Sequence, residues 1–205
     1  MRRCCTHPVQ SDNPGGFSLM ELLIVLALLV VVAGIAAPAM MDRLADSQVH
    51  RAADSVREVL SEARTYAIDS GIDYQFRYEV NGQFFVVLPT ETEPTLSNSV
   101  STDTGSSDYM RLSGQLQDTL FLRAMKDDSE SSDKLEAIWF GSLPDAGVLT
   151  QKSWSAPIYF RFDGSADDRT FRVMDESGRT SELSVRGLTG AVRMTPVYVS
   201  AEGDT

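Results

Sequence analysis

From Leu22 to Met41 the chain runs for about 20 residues without a charged side chain, the length an α-helix needs to cross the ~30 Å hydrocarbon core of a bilayer. This stretch reads as a membrane span, and everything else in the sequence is arranged around it. Just before it, Gly16-Phe17-Ser18-Leu19-Met20-Glu21 sets one carboxylate at the threshold of the apolar run. A charge at that depth is costly unless it meets the interface or a partner, so Glu21 is a candidate functional residue. Pro38 removes one backbone donor and crowds the turn before it. A bend is expected there, helped by Gly34; a proline merely tolerated in a membrane helix is the alternative.

Two plainer readings stand beside this one. A basic stretch before an apolar core also describes a secretory signal peptide, whose apolar region is about 7 to 15 residues long and ends at small residues. The run here is longer, although Ala33-Gly34-Ile35-Ala36-Ala37 supplies small residues. In a signal anchor, Glu21 would simply sit at the headgroups. The Gly16-Phe17 junction, Glu21, the apolar run and Pro38 nevertheless fall in one register. In that combination the segment resembles the processing site of type IV pilins and type II secretion pseudopilins. The resemblance implies a leader, residues 1–16, removed by a prepilin peptidase between Gly16 and Phe17, and N-methylation of Phe17 by the same enzyme. It also implies an assembly role for Glu21.

Arg2 and Arg3 precede the span and hold the leader in the cytoplasm, which sends the remainder outward. In the bacterial cell that the resemblance implies, the outward side of the inner membrane is the periplasm. The formal net charge of -11 argues against a nucleic-acid groove or a polybasic lipid patch. Both cysteines, Cys4 and Cys5, lie in the leader, so a chain starting at Phe17 has no disulfide or thiolate metal site. His7 also leaves with the leader, and His50 is then the remaining histidine.

After Met41 the periodicity continues as an amphipathic helix. Val49, Ala52, Val56, Val59 or Leu60, Ala63 and Ala67 recur at spacings of three and four, with Asp46, Arg51, Asp54, Arg57, Glu58, Glu62 and Arg64 mainly elsewhere around the axis. One helix from Phe17 to a stop at Ser70-Gly71 is expected, its inner half (17–41) transmembrane and its outer half (42–70) packed on a domain. The period then changes to two. Tyr74, Phe76, Tyr78 and Val80 alternate with polar residues, and Asn81-Gly82 leads into Phe84-Phe85-Val86-Val87-Leu88, a hairpin signal. Residues 90–110 are polar and predict a mobile loop, and a short strand is expected around Leu120-Phe121-Leu122. Strands are further expected at Ala137-Ile138-Trp139-Phe140, Ile158 to Phe162, Thr170 to Met174, Glu182 to Val185 and Ala191 to Met194. Asp163-Gly164, Ser177-Gly178 and Thr189-Gly190 supply turns.

The fold class is therefore α+β, a long N-terminal helix packed against a mostly antiparallel β-sheet domain over 71–205. Ile158 to Ser165 and the late Thr189-Gly190-Ala191-Val192 resemble the C-terminal half of the H-type (GspH/FimT-like) minor pseudopilins and minor pilins. The chain departs from them in Phe162, where a proline is frequent before the Asp-Gly turn, and in its long polar insert.

No catalytic constellation is present in the sequence. There is no phosphate-binding loop, nucleophile elbow or zinc-protease motif, and His50, on the polar-apolar border of the helix, reads as a bystander. Asp163, Asp167 and Asp168 cluster around Gly164, where a turn accounts for them. Asp127, Asp128, Glu130 and Asp133 invite comparison with calcium, an ion that some related pseudopilins bind, but lack the central glycine and spacing of a calcium loop. A solvated loop is the reading, and no cofactor is expected.

The resemblance implies a structural minor pseudopilin of a type II secretion pseudopilus. Its partners would be other major and minor pseudopilins, the prepilin peptidase/methylase and the inner-membrane secretion platform. A minor pilin of a type IV pilus is the alternative of the same kind. A membrane-tethered periplasmic binding module that never polymerises is the alternative of a different kind.

Overall fold

The computed structural model describes residues 17–90, 109–125, 132–141 and 143–200, without the side chains of 35–39, 41 and 42. The leader, most of the loop expected at 90–110 and the acidic stretch at 126–131 lie outside the described residues. Two compact units divide the chain, Met1–Arg43 and Leu44–Thr205. Helix α1 runs unbroken from Leu19 to Ser70. It stops where expected: Gly71 takes the left-handed conformation (φ 71°) and its amide donates to the Ala67 carbonyl at 3.1 Å.

In the second unit α1 buries Val49, Ala53, Val56, Leu60, Ala63 and Ala67. Ala53 and Leu60 hold the buried positions, while Ala52 and Val59 lie at the margin of the stripe. Against this stripe stands an antiparallel β layer divided into two sheets, where a single one was expected. The first has the order β3 (Leu112–Gln115), β2 (Phe84–Pro89), β1 (Tyr74–Tyr78), β5 (Ile158–Phe160). The second has the order β4 (Leu120–Ala124), β6 (Arg169–Asp175), β7 (Arg179–Val185), β8 (Val192–Met194), with β9 (Tyr198–Val199) also on β7. The split arises between β3 and β4. A turn in which the Leu120 amide donates to the Gln117 carbonyl at 2.9 Å carries β4 out of the first sheet and onto β6. An isolated bridge between Gly82 and Leu122 still ties the sheets together.

The first sheet is covered on both faces. Phe76, Tyr78, Phe85 and Val87 join the α1 stripe, together with Leu122, Phe171, Val173 and Leu183 of the second sheet. Val86 and Leu88 point the other way, into a second cluster with Leu135, Phe140, Leu149 and Trp154. Burial on both sides is why 84–88 is continuously apolar instead of alternating.

Two local expectations are corrected. Ala137–Phe140 is a helical turn, α2, and not a strand. Its aromatic residues have β propensity, but one turn places Phe140 in the second cluster with Trp139 and Leu143 packed against it, and packing outweighs propensity. α3 (Ala146–Leu149) follows and supplies Leu149. At the β1–β2 hairpin the tight turn centres on Val80-Asn81, with the Gly82 amide donating to the Glu79 carbonyl at 3.1 Å and Asn81 at φ 54°. Gly82 is required for a different reason. A Cβ there would lie 2.1 Å from Cδ of Glu79, whose carboxylate accepts from the amides of Gln83 and Phe84.

The three later glycine turns form as expected, with Gly164, Gly178 and Gly190 all at positive φ. Gly190 is the most constrained. A Cβ there would meet Arg64 Cδ at 2.6 Å and the Gly164 carbonyl oxygen at 2.8 Å. Arg64 crosses between the two turns and donates from Nε to that same oxygen at 3.1 Å. Gly190→Ala is therefore expected to cost about 2 kcal/mol or more, combining φ strain with a backbone clash. The measurement is the urea midpoint of the full chain in detergent; an unchanged midpoint would contradict this packing.

Candidate functional site

The first described residues are Phe17 and Ser18. The Ser18 carbonyl accepts from the amides of Glu21 at 3.0 Å and Leu22 at 3.1 Å, so the helix opens at Leu19 and Glu21 lies in its first turn. A carboxylate there complements the positive end of the helix dipole, worth about 0.3–1 kcal/mol at an exposed site. Moving the same carboxylate into hydrocarbon costs several kcal/mol. The dipole alone cannot hold an ionised Glu21 in an apolar environment, and a cation is needed.

Phe17 is 78% exposed, and Leu22 to Leu26 and Leu28 to Val32 are all exposed. Successive residues are turned by 100°, so this exposure goes all the way round the helix, and no one-sided docking could cover it. A lipid phase or a bundle of other helices is the environment that suits such a surface. Among the described residues no helix is long and apolar enough to cross a membrane, and the side chains of 35–39 and 41 in this run are not among those described. Gly34 has open space where a Cβ would be, and Pro38 falls inside the unbroken α1. Gly16 lies outside the described residues.

The carboxylates considered for chemistry are each held separately. Asp163 Oδ1 accepts from Ser165 N at 2.9 Å and Ser165 Oγ at 2.7 Å, and these bonds lower the Asp163 carboxyl below its ordinary range. Asp167 pairs with Arg161 at 2.7 Å, a bond that raises the guanidinium. Asp168 Oδ1 accepts from Gly187 N at 2.8 Å. Together they brace the 161–168 and 186–190 turns. Asp133 lies 3.5 Å from Arg77, and exposed His50 is 3.7 Å from Asp54. Among the described residues no three His, Cys, Asp or Glu side chains are grouped to hold a metal. Sequence reasoning missed Arg64 and Arg179, which bind partners far away in the chain and so leave no local pattern.

Residues 12–37 match the family model of the prokaryotic N-terminal methylation motif. The N terminus carries a prokaryotic N-terminal methylation motif. Within this match lie Gly16, Phe17, Glu21 and Gly34, and Pro38 follows directly after it. No curated protein matches the chain by sequence. Among solved structures, the chain is similar to the minor pseudopilin EpsH from the type 2 secretion system of Vibrio cholerae, with 15% identity and a TM-score of 0.43, over 73% of this chain and 97% of that one. It is also similar to the type IV minor pilin FimU of Pseudomonas aeruginosa, with 12% identity and a TM-score of 0.43, over 76% and 96% of the two chains.

Proposed function

We propose that this chain is a structural minor pseudopilin of a type II secretion pseudopilus, processed between Gly16 and Phe17 and assembled through α1. In this reading the apolar inner half anchors the subunit in the bacterial inner membrane, with its β-rich unit in the periplasm, until it passes into a bundle with other pseudopilins. The observation that carries the proposal is the helix surface exposed on every side from Leu22 to Val32, directly behind a first-turn carboxylate and inside the methylation motif. Such a surface suits both lipid and a helical filament core, which is what a subunit exchanging one for the other requires. The partners are the prepilin peptidase/methylase, other major and minor pseudopilins, and the inner-membrane secretion platform. Gly34 and Pro38 provide a place for the helix to bend during that transfer.

Intact mass and N-terminal sequencing of the chain from its bacterial host test the processing step. The expected mature chain begins at Phe17 and carries one added methyl group on its amine. A chain that begins near Ala36, or that retains Cys4 and Cys5, would overturn the reading.

A further inference from the structure

The first buried side chain of α1 in the second unit is Val49. Upstream of it Leu44 is 59% exposed, and Ala45 to Gln48 have no buried side chain among them. Among the described residues, the turn that begins this unit therefore has no buried apolar anchor. It has a polar one. Asp46, three residues before Val49 and on the same side of the helix, sets Oδ1 3.0 Å from Nε of Arg179. Arg179 is itself fixed. Its side chain is mostly buried and lies 3.6 Å from Asp175, and its amide donates to Asp175 Oδ1 at 2.8 Å. It also follows Gly178 (φ 81°) at the tip of the β6–β7 hairpin and pairs with Val199 of β9. A guanidinium held from several sides is thus presented to a helical turn with little else to hold it.

We infer that the Asp46–Arg179 pair is a clamp that sets where α1 becomes part of the globular unit. Without it, the docked portion of the helix begins about one turn later, at Val49 and Ala53. Within the second unit, the clamp ties the β6–β7 hairpin to the opening turn of the docked helix.

The test is hydrogen exchange by mass spectrometry on the full chain in detergent micelles, comparing wild type with Arg179→Met, Asp46→Asn and the double variant. Removing a partly exposed ion pair from a turn with no buried side chain should accelerate exchange at about residues 45–50 roughly twofold to fivefold, with 56–67 unchanged. At residues 45–50 the two single variants and the double should give about the same increase, because the Asp46–Arg179 contact is what they share there; loss of the Arg179–Asp175 pair acts at the β6–β7 hairpin. Unchanged exchange at 45–50 would overturn the inference. So would additive effects, or an equal loss of protection along the whole outer helix, which would make the pair an ordinary contributor to global stability. None of these outcomes depends on whether the chain polymerises.

Discussion

Replacing Glu21 with alanine is expected to leave membrane insertion and leader cleavage intact while lowering incorporation into a filament by about two orders of magnitude or more. The carboxylate lies in the first turn of a helix whose neighbouring side chains are apolar and exposed on every side. When such helices bundle, an ionised Glu21 loses water, and breaking a buried ion pair costs about 3–5 kcal/mol, where each 1.4 kcal/mol is a factor of ten. Processing at Gly16-Phe17 would free a cation at that depth, the amine of Phe17, which stays cationic when methylated. A neighbouring subunit's amine would make the pair a registration device for assembly. Cleavage, cross-linking to partner subunits and export should be followed together in Glu21→Ala, with Glu21→Asp reporting on side-chain reach. Wild-type cross-linking and export in the alanine variant would show that the carboxylate serves only at the headgroups.

Trp154→Ala is expected to destabilise the second unit by about 3–5 kcal/mol. Trp154 is fully buried, its ring centroid is 5.9 Å from that of Phe140, and its Nε1–H donates to the Leu149 carbonyl at 3.1 Å. Its backbone also bridges to both Asp133 and Glu79. Trp154→Phe keeps most of the volume and loses the indole hydrogen bond, while the Leu149 carbonyl still accepts from the Lys152 amide at 3.2 Å, so about 1 kcal/mol is expected. Urea unfolding of the full chain in detergent, followed by near-ultraviolet circular dichroism, gives both values. A loss below about 1 kcal/mol for the alanine variant would mean that the second cluster is not a core.

What the sequence revealed and what it hid divide along a physical line. The α1 stripe, the β1–β2 hairpin and the strands from β5 to β8 were legible because they carry local periodicity or strand composition beside glycine turns, and β4 through its short apolar run Leu120-Phe121-Leu122. Leu60 was separated from Val59 only by packing. The second cluster left little trace, because it gathers Val86, Leu135, Phe140, Leu149 and Trp154 from segments with no common period. There a strand-like composition at 137–140 gave way to a helical turn that seats Phe140. Asn81-Gly82 marked the hairpin correctly but not the turn's centre, since the Glu79 carboxylate captures the Gln83 and Phe84 amides and shifts the tight bend back to Val80-Asn81. At the candidate site the opposite holds. Gly16, Phe17, Glu21, Gly34 and Pro38 are proposed from one register of the sequence; the methylation motif spans 12–37, and the fold adds that Glu21 lies in the first turn of α1.

The Gly82–Leu122 bridge and the shared core bear on how the chain is made. Helix α1 and the first hairpin leave the ribosome early, yet the surfaces they bury are completed by Ile158, Phe171, Val173, Leu183 and Val185. Neither sheet can therefore mature by itself, and closure waits on contacts of high sequence separation, which form slowly. The nascent unit carries an unfinished apolar surface until β7 has been delivered. Under the membrane-anchored reading proposed above, that vectorial order would place the anchor before every strand, so the half-built core would be tethered for the whole of the interval in which it is most prone to aggregate.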